Sequence, residues 1–333
     1  MKNLITDVGG LKVGNAHDAK LASGVTVAIF DAPAVASIAV HGGAPGLRDA
    51  ALLEPGMTVE RVDALVLSGG SVYGLDSMGG VLALLRAQGR GFPVGAIKVP
   101  IAPGAVLFDL LNGGDKDFGA EPIYWRLGYQ AAKAVGADFA LGNAGAGYGA
   151  TTASLKGGLG SASEVTSAGF RVGALVAVNA VGSATIGDGP HFWAAPYERD
   201  GEFGGRGWPA SFGGQGAFQI KSVEPENTTI AIVATDAALT KTEAKRLAVM
   251  AHDGMGRALR PTHAAMDGDT VFAAATGASA REPTLRDKAE IGACAADCLA
   301  RAIARAVYEA KALPFAGALP SWRDRFAARA KDP

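Results

Sequence analysis

The segment Thr228-Thr-Ile-Ala-Ile-Val-Ala-Thr235 constrains the fold more than any other stretch of this 333-residue chain. Its odd and even positions are both apolar, so both faces of the strand it predicts must be covered, as in a central strand with layers on two sides. Thr240-Lys-Thr-Glu243 follows as a capping-box sequence, with Ala244, Leu247, Ala248, Ala251 and Met255 at helical spacing behind it. A second strand is predicted over Asp269 to Gly277. Leu285 to Ala310 then reads as a long helix with Ala289, Ala293, Ala296, Ala300, Ile303 and Val307 on its buried stripe.

Upstream, apolar runs bounded by Gly and Pro predict strands at Val25 to Phe30, Ala36 to Val40, Ala64 to Leu67, Val94 to Val99 and Gly173 to Asn179. Leu75 to Ala87 and Ile123 to Val135 read as core-facing helices. Strict βαβ alternation is missing, and no polar linker divides two cores. These features favour one α+β domain over residues 1–333, with sheets sandwiched between helix layers. Glycine, 47 residues, is about twice its average usage of ~7%, and without a G-X-Y period it points to closely packed backbones rather than collagen. The aromatic, glycine-rich stretch Gly187 to Gly216 follows neither period and reads as a long surface or interface loop.

Thirty-one basic against 32 acidic residues leave a net charge of −1, which argues against nucleic acid or an anionic membrane as partner. No run reaches the ~18 apolar residues of a membrane span, and the N-terminus lacks a signal-peptide core, so a cytoplasmic setting is expected. Cys294 and Cys298, four apart in a helix, read as buried apolar residues rather than a disulfide or a zinc pair.

Three segments bear chemistry. Gly142-Asn-Ala-Gly145-Ala-Gly147-Tyr-Gly149-Ala150 contains G-x-G-x-x-A, the fingerprint of a dinucleotide-binding oxidoreductase, but Gly157 and Gly158 leave no room for the helix that fingerprint requires. Glu226-Asn227-Thr228-Thr229 sets a hydroxyl at the mouth of the buried strand. Cleavage before Thr228 by its own Oγ would create an N-terminal threonine, whose α-amine, with pKa ~8, is a suitable general base. His263-Ala-Ala-Met-Asp267-Gly-Asp269-Thr270 brings two carboxylates around a Gly turn, without the further ligands of a calcium loop.

Together these segments resemble the DmpA family of self-processing aminopeptidases and amidases. The resemblance rests on Leu67-Ser-Gly-Gly-Ser-Val-Tyr-Gly-Leu75, Gly145 to Thr151 with Lys156-Gly-Gly-Leu-Gly-Ser-Ala-Ser163, Val178-Asn179, Asn227-Thr-Thr-Ile230, and His263 to Thr270 with Phe272-Ala273. It implies a four-layer α-β-β-α sandwich similar to N-terminal-nucleophile hydrolases, self-cleaved between Asn227 and Thr228 into an α chain, 1–227, and a β chain, 228–333. It further implies Thr228 as nucleophile, Asn179 in the oxyanion hole, Lys156 near the nucleophile as a stabilising charge, and Asp267 and Asp269 orienting the new ammonium and the hydroxyl. The activity implied is release of amino acids or ω-amino acids from small peptides, amides or oligomers, by a homotetramer of αβ units, with neither cofactor nor metal. The alternatives are a dinucleotide enzyme using the Gly145 loop and a relative that neither processes nor catalyses. One departure stands out: Phe108 occupies the segment where several relatives carry a site tyrosine, and Tyr148 and Tyr73 are the nearby phenols that might replace it.

Overall fold

A computed structural model describes residues 1–212, 219–221 and 227–326. The strands are β1 (Leu11–Asp18), β2 (Ser23–Val40), β3 (Gly46–Arg48), β4 (Arg61–Ser68), β5 (Phe92–Val94), β6 (Ile97–Val99), β7 (Gly104–Val106), β8 (Gly158–Val165), β9 (Arg171–Asn179), β10 (Thr228–Thr235) and β11 (Thr270–Ala275). The α-helices are α1 (Ser77–Ala87), α2 (Ile123–Lys133), α3 (Lys241–Ala258), α4 (Leu285–Glu309) and α5 (Trp322–Phe326).

Strand β2 joins two sheets. Its first half pairs with β1 and β4, its second half with β11, and the register shifts between Ile29 and Ala34. From there the order runs β2-β11-β10-β9-β8 on one side and β2-β4-β7-β3 on the other, with β1 also on β2. Where the sequence predicts two strands, Val25 to Phe30 and Ala36 to Val40, one continuous strand runs through Asp31-Ala-Pro33. Proline lacks the ladder N–H, yet all three residues are exposed at the bulge, where a missing donor costs little.

Side-chain alternation builds three cores. Along β10, Ala231 and Val233 face α3 and α4, while Ile230, Ile232 and Ala234 face the other sheet. Along β4, Leu65 and Leu67 point to that shared inter-sheet core and Ala64 and Val66 to α1 and α2. Three cores separate four layers, helices–sheet–sheet–helices, as expected. Small residues set the spacing: a Cβ on Gly160 of β8 would lie 1.9 Å from the Ala302 carbonyl oxygen of α4, so this helix lies flush on the sheet.

Helix α3 starts where the capping box predicts, with Thr240 Oγ1 accepting from the Glu243 amide and Glu243 Oε2 from the Thr240 amide at 2.8 Å. Thr284 and Asp287 cap α4 in the same way. The predicted strand Val94 to Val99 is the exposed hairpin β5–β6, turned at Gly95, which has φ +58°. Within the aromatic stretch, Phe192, Trp193 and Phe203 are buried in this chain while Trp208 and Phe212 are exposed; residues 213–216 of it, like Glu226 and Pro225, lie outside the described residues. Cys294 and Cys298 are buried free thiols. No described helix is long and apolar enough to cross a membrane.

Candidate active site

Thr228 heads β10, buried, with Asn179 directly opposite at the end of β9. Its Oγ1 donates to the carbonyl oxygen of Asn227, the peptide group whose cleavage would free the threonine amine. That same oxygen accepts from the Gly268 amide at 3.2 Å. Glycine is required there: a Cβ on Gly268 would stand 2.7 Å from Thr228 Oγ1 and 2.9 Å from the Ala44 carbonyl oxygen.

The two carboxylates follow from one tight turn. Asp269 Oδ1 accepts from the Thr229 amide at 2.9 Å, while Oδ2 accepts from Thr262 Oγ1 at 2.7 Å, the His263 amide at 2.9 Å and His263 Nδ1 at 2.8 Å. Burial raises a carboxyl pKa, but these hydrogen bonds and the His263 charge outweigh it and hold Asp269 below the ordinary range. Asp267 moves the other way, pushed up to about 7 by burial and by the neighbouring Asp269 charge. Environments that split two carboxyls in this way distinguish an anion from a proton carrier.

Buried polar atoms concentrate at this junction. Among the described residues nine buried side-chain N and O atoms have no hydrogen-bond partner, and four of them are Asn227 Nδ2 and Oδ1, Thr229 Oγ1 and Asp267 Oδ1. Such clustering marks a place where the chain sacrifices stability for chemistry or water. A cavity of about 230 Å3 opens on it, lined by Pro45, Ser71, Val72, Phe108, Thr228 and Met266 among others. Ser71, at φ +50°, follows Gly70, whose amide donates to Asp109 Oδ1 at 2.8 Å. Asp109 is buried, accepts from Ser23 Oγ at 2.7 Å, and is raised in pKa by that burial, so it anchors the Gly69–Gly70 turn from below.

Phe108 lines this cavity and a second one that Asn179 also lines. Asn179 Nδ2 donates to the Phe108 carbonyl at 2.8 Å, and its Oδ1 accepts from the Thr151 amide at 3.0 Å and from Lys221 Nζ at 3.4 Å. These groups line that second cavity, of about 330 Å3. Lys156 Nζ donates to the carbonyls of Gly147, Ala150 and Gly157 at 3.1, 2.8 and 3.0 Å. Burial, partly offset by the Asp109 charge, lowers its pKa to about 7. It acts as a pin through the Gly-rich loop, and its three bonds go to backbone carbonyls rather than to Thr228.

The loop itself excludes the dinucleotide reading. Gly145–Gly147 is a single 3-10 turn leading to β8, with no helix N-terminus for a pyrophosphate. Its glycines serve packing: a Cβ on Gly147 would meet the Leu159 amide at 2.0 Å. Neither phenol replaces the missing tyrosine at the Thr228 cavity, since Tyr148 stacks on His17 at 4.4 Å and Tyr73 packs edge-on against Phe118.

Two layered sheets thus lie between helix pairs, with Thr228 at the mouth of a central strand. A model of peptidase family S58 matches residues 3–318, and the chain belongs to that family, making it a hydrolase of peptide or amide bonds. An uncharacterised aminopeptidase of Mycobacterium tuberculosis is 42% identical over 350 residues, spanning 97% of this chain and 98% of that protein. The 6-aminohexanoate-oligomer endohydrolase of Paenarthrobacter ureafaciens is 30% identical over 293 residues, 81% of this chain and 74% of that enzyme. Among solved structures, the L-aminopeptidase D-Ala-esterase/amidase of Ochrobactrum anthropi, described as a variant of the Ntn hydrolase fold, superposes with a TM-score of 0.72 at 21% identity, covering 99% and 93% of the two chains. The Burkholderia sp. beta-aminopeptidase gives 0.69 at 21%, covering 100% and 96%.

Proposed function

We propose that the chain cuts itself between Asn227 and Thr228 and then hydrolyses small amides with Thr228 as an N-terminal nucleophile. The observation that carries this reading is the Asn227 carbonyl held by both the Thr228 hydroxyl and the Gly268 amide beside a cavity. In processing, Oγ attacks the Asn227 carbonyl carbon, the Gly268 N–H supports the developing oxyanion, and the C–N bond breaks as the threonine nitrogen takes the proton. Water then hydrolyses the resulting ester, leaving an Asn227 carboxylate and a free Thr228 amine.

In turnover the amine accepts the hydroxyl proton while Oγ attacks the substrate carbonyl. The leaving amine takes that proton, and water resolves the acyl-enzyme. Asp269, ionised and bonded to the neighbouring Thr229 amide, supports a role for the carboxylate pair in orienting ammonium and hydroxyl, with Asp267 beside it. Its pairing opposite Thr228 supports Asn179 as the oxyanion donor. Lys156 holds the loop through three backbone carbonyls. Pro45, Val72, Val106, Phe108 and Met266 make the cavity suitable for an aliphatic acyl group, such as that of an amino acid or an ω-amino acid. The names of the aminopeptidase and oligomer-hydrolase relatives agree with that substrate class.

Denaturing mass spectrometry tests the reading, with fragments of about 23 and 11 kDa expected from a 33.6 kDa chain cut after Asn227, the smaller beginning Thr-Thr-Ile-Ala-Ile. Thr228→Ala abolishes cleavage and turnover, while Thr228→Ser keeps part of both. An uncut chain with full amidase activity overturns the proposal, and an uncut inactive one identifies a non-catalytic relative. The assembly we infer is a homotetramer of αβ units. Light scattering that reports a monomer at micromolar concentration rejects it.

A further inference from the structure

Behind the carboxylate pair lies a cluster that neither the proposed mechanism nor the family assignment uses. His41 follows the end of β2, His252 lies in α3, and His263 begins the turn to β11. His41 stacks on His252 with ring centres 3.7 Å apart, and His263 meets both edge-on, at 5.2 and 4.9 Å. One ring nitrogen from each lies within 4.8 Å of the others.

Two of the three rings are already oriented by their other nitrogen. His263 Nδ1 is bonded to Asp269 Oδ2 at 2.8 Å, and His252 Nε2 to the Ala39 carbonyl at 3.0 Å. A carboxylate and a backbone carbonyl are the acceptors that fix the tautomer of metal-binding histidines and direct their remaining nitrogen at the ion. That leaves His263 Nε2 and His252 Nδ1 as lone-pair donors. His252 is 2% exposed, and its Nδ1 is buried without a partner among the described residues. A buried polar atom left this way loses its hydration for nothing unless something binds it.

We propose that His41, His252 and His263 form a three-imidazole site for a divalent transition metal of the zinc class. Three imidazoles suit zinc, and water entering past the exposed His41 completes a tetrahedron. Metal–nitrogen bonds of ~2.0–2.1 Å place tetrahedral ligands about 3.3 Å apart, so nitrogens within 4.8 Å of one another close by at most about 1.5 Å. His41, being exposed, is the ring free to swing off its stack. The Asp269 carboxyl group behind His263 holds that ring in place.

The location gives the site a consequence. Asp269 accepts from His263 on one oxygen and from the Thr229 amide on the other, and its own carbonyl accepts from the His41 amide at 3.1 Å. An ion here is therefore tied through one residue to the strand that carries Thr228. It stiffens the support of the site and takes no part in attacking the substrate.

The test uses full-length protein without a histidine tag, stripped by chelator and dialysed, titrated with Zn2+ alone and, in parallel, with Co2+. One equivalent per chain, intense visible bands from four-coordinate Co2+, and a melting temperature raised by Zn2+ are expected. His41→Ala, a change at an exposed side chain, weakens Zn2+ binding by about 100-fold or more and removes the bands, while its metal-free melting temperature matches the parent. Sub-stoichiometric binding by the parent, or equal affinity in parent and His41→Ala, overturns the proposal. Both outcomes are read from binding, so they are independent of whether the chain cleaves itself or which amide it hydrolyses.

Discussion

The amide of Gly268 reaches the carbonyl oxygen of Asn227 at 3.2 Å across a bridge between Asn227 and Asp267, and the bare Cα of that glycine leaves room for the Thr228 hydroxyl. One residue thus binds the carbonyl oxygen of the bond whose cleavage we propose and leaves room for the neighbouring hydroxyl.

Gly268→Ala separates those contributions from folding. The added methyl, 2.7 Å from Oγ1, displaces the hydroxyl or the amide, and self-cleavage slows by ~10²–10³, the scale of losing one oxyanion donor. The cleaved fraction against time, followed by denaturing mass spectrometry, checks this. Processing at the parent rate removes Gly268 from the machinery.

The carboxylates are expected to differ. Asp269→Asn removes an anion held by four hydrogen bonds, and turnover per cleaved chain falls by ~10²–10³. Asp267→Asn mimics the protonated form favoured by burial and produces a smaller loss. Rates on an amino-acid p-nitroanilide, or another amide the parent accepts, are compared at equal cleavage. If both variants stay within about threefold of the parent, neither carboxylate belongs to the site.

Asp267 also imposes a pH dependence on stability. Its carboxyl keeps its proton up to about 7 in the folded chain but loses it near 3.8 when unfolded, so between these values the folded state binds more protons. Stability therefore declines as pH rises through that window, and the penalty is complete above it. Asp267→Asn should melt above the parent at pH 8, with the gap closing towards pH 4. A gap that stays constant with pH contradicts the assignment.

Replacing Lys156 by Met keeps the length of the side chain, strips the Gly157 carbonyl of its donor, and leaves the Gly147 and Ala150 carbonyls with one backbone amide each. The loss expected in urea unfolding is ~1–3 kcal/mol, the cost of one orphaned buried acceptor. A variant within 1 kcal/mol of the parent would mean that the Gly-rich loop does not depend on this pin.

Local signals carried much of the fold and of the site. β10 was legible because eight consecutive buried residues leave no polar face, and the start of α3 because Thr240 and Glu243 satisfy each other's amides three residues apart. Thr228, Asp267 and Asp269 were legible through short motifs, and the fold brings the two segments that carry them together. Partners supplied by backbone or by distant segments were not legible. Nothing near Lys156 indicates that its acceptors are three carbonyls, Lys221 lies in a stretch without periodicity, and His41, His252 and His263 meet only through packing of β2, α3 and the loop after it.

The sheet order has one more consequence. Strands β10 and β11 come from the last third of the chain, yet they lie between β2 and β9, which come from before the Asn227–Thr228 bond. A chain cut at that bond is two polypeptides in one sheet, the pair β11-β10 of the second inserted between β2 and β9 of the first, with helix α4 laid across β8 and β9 of the other piece. Neither piece can leave without tearing open ladders on both of its sides. For the cut protein, subunit exchange and denaturation would be one event, and a lost peptide bond would leave no weak seam.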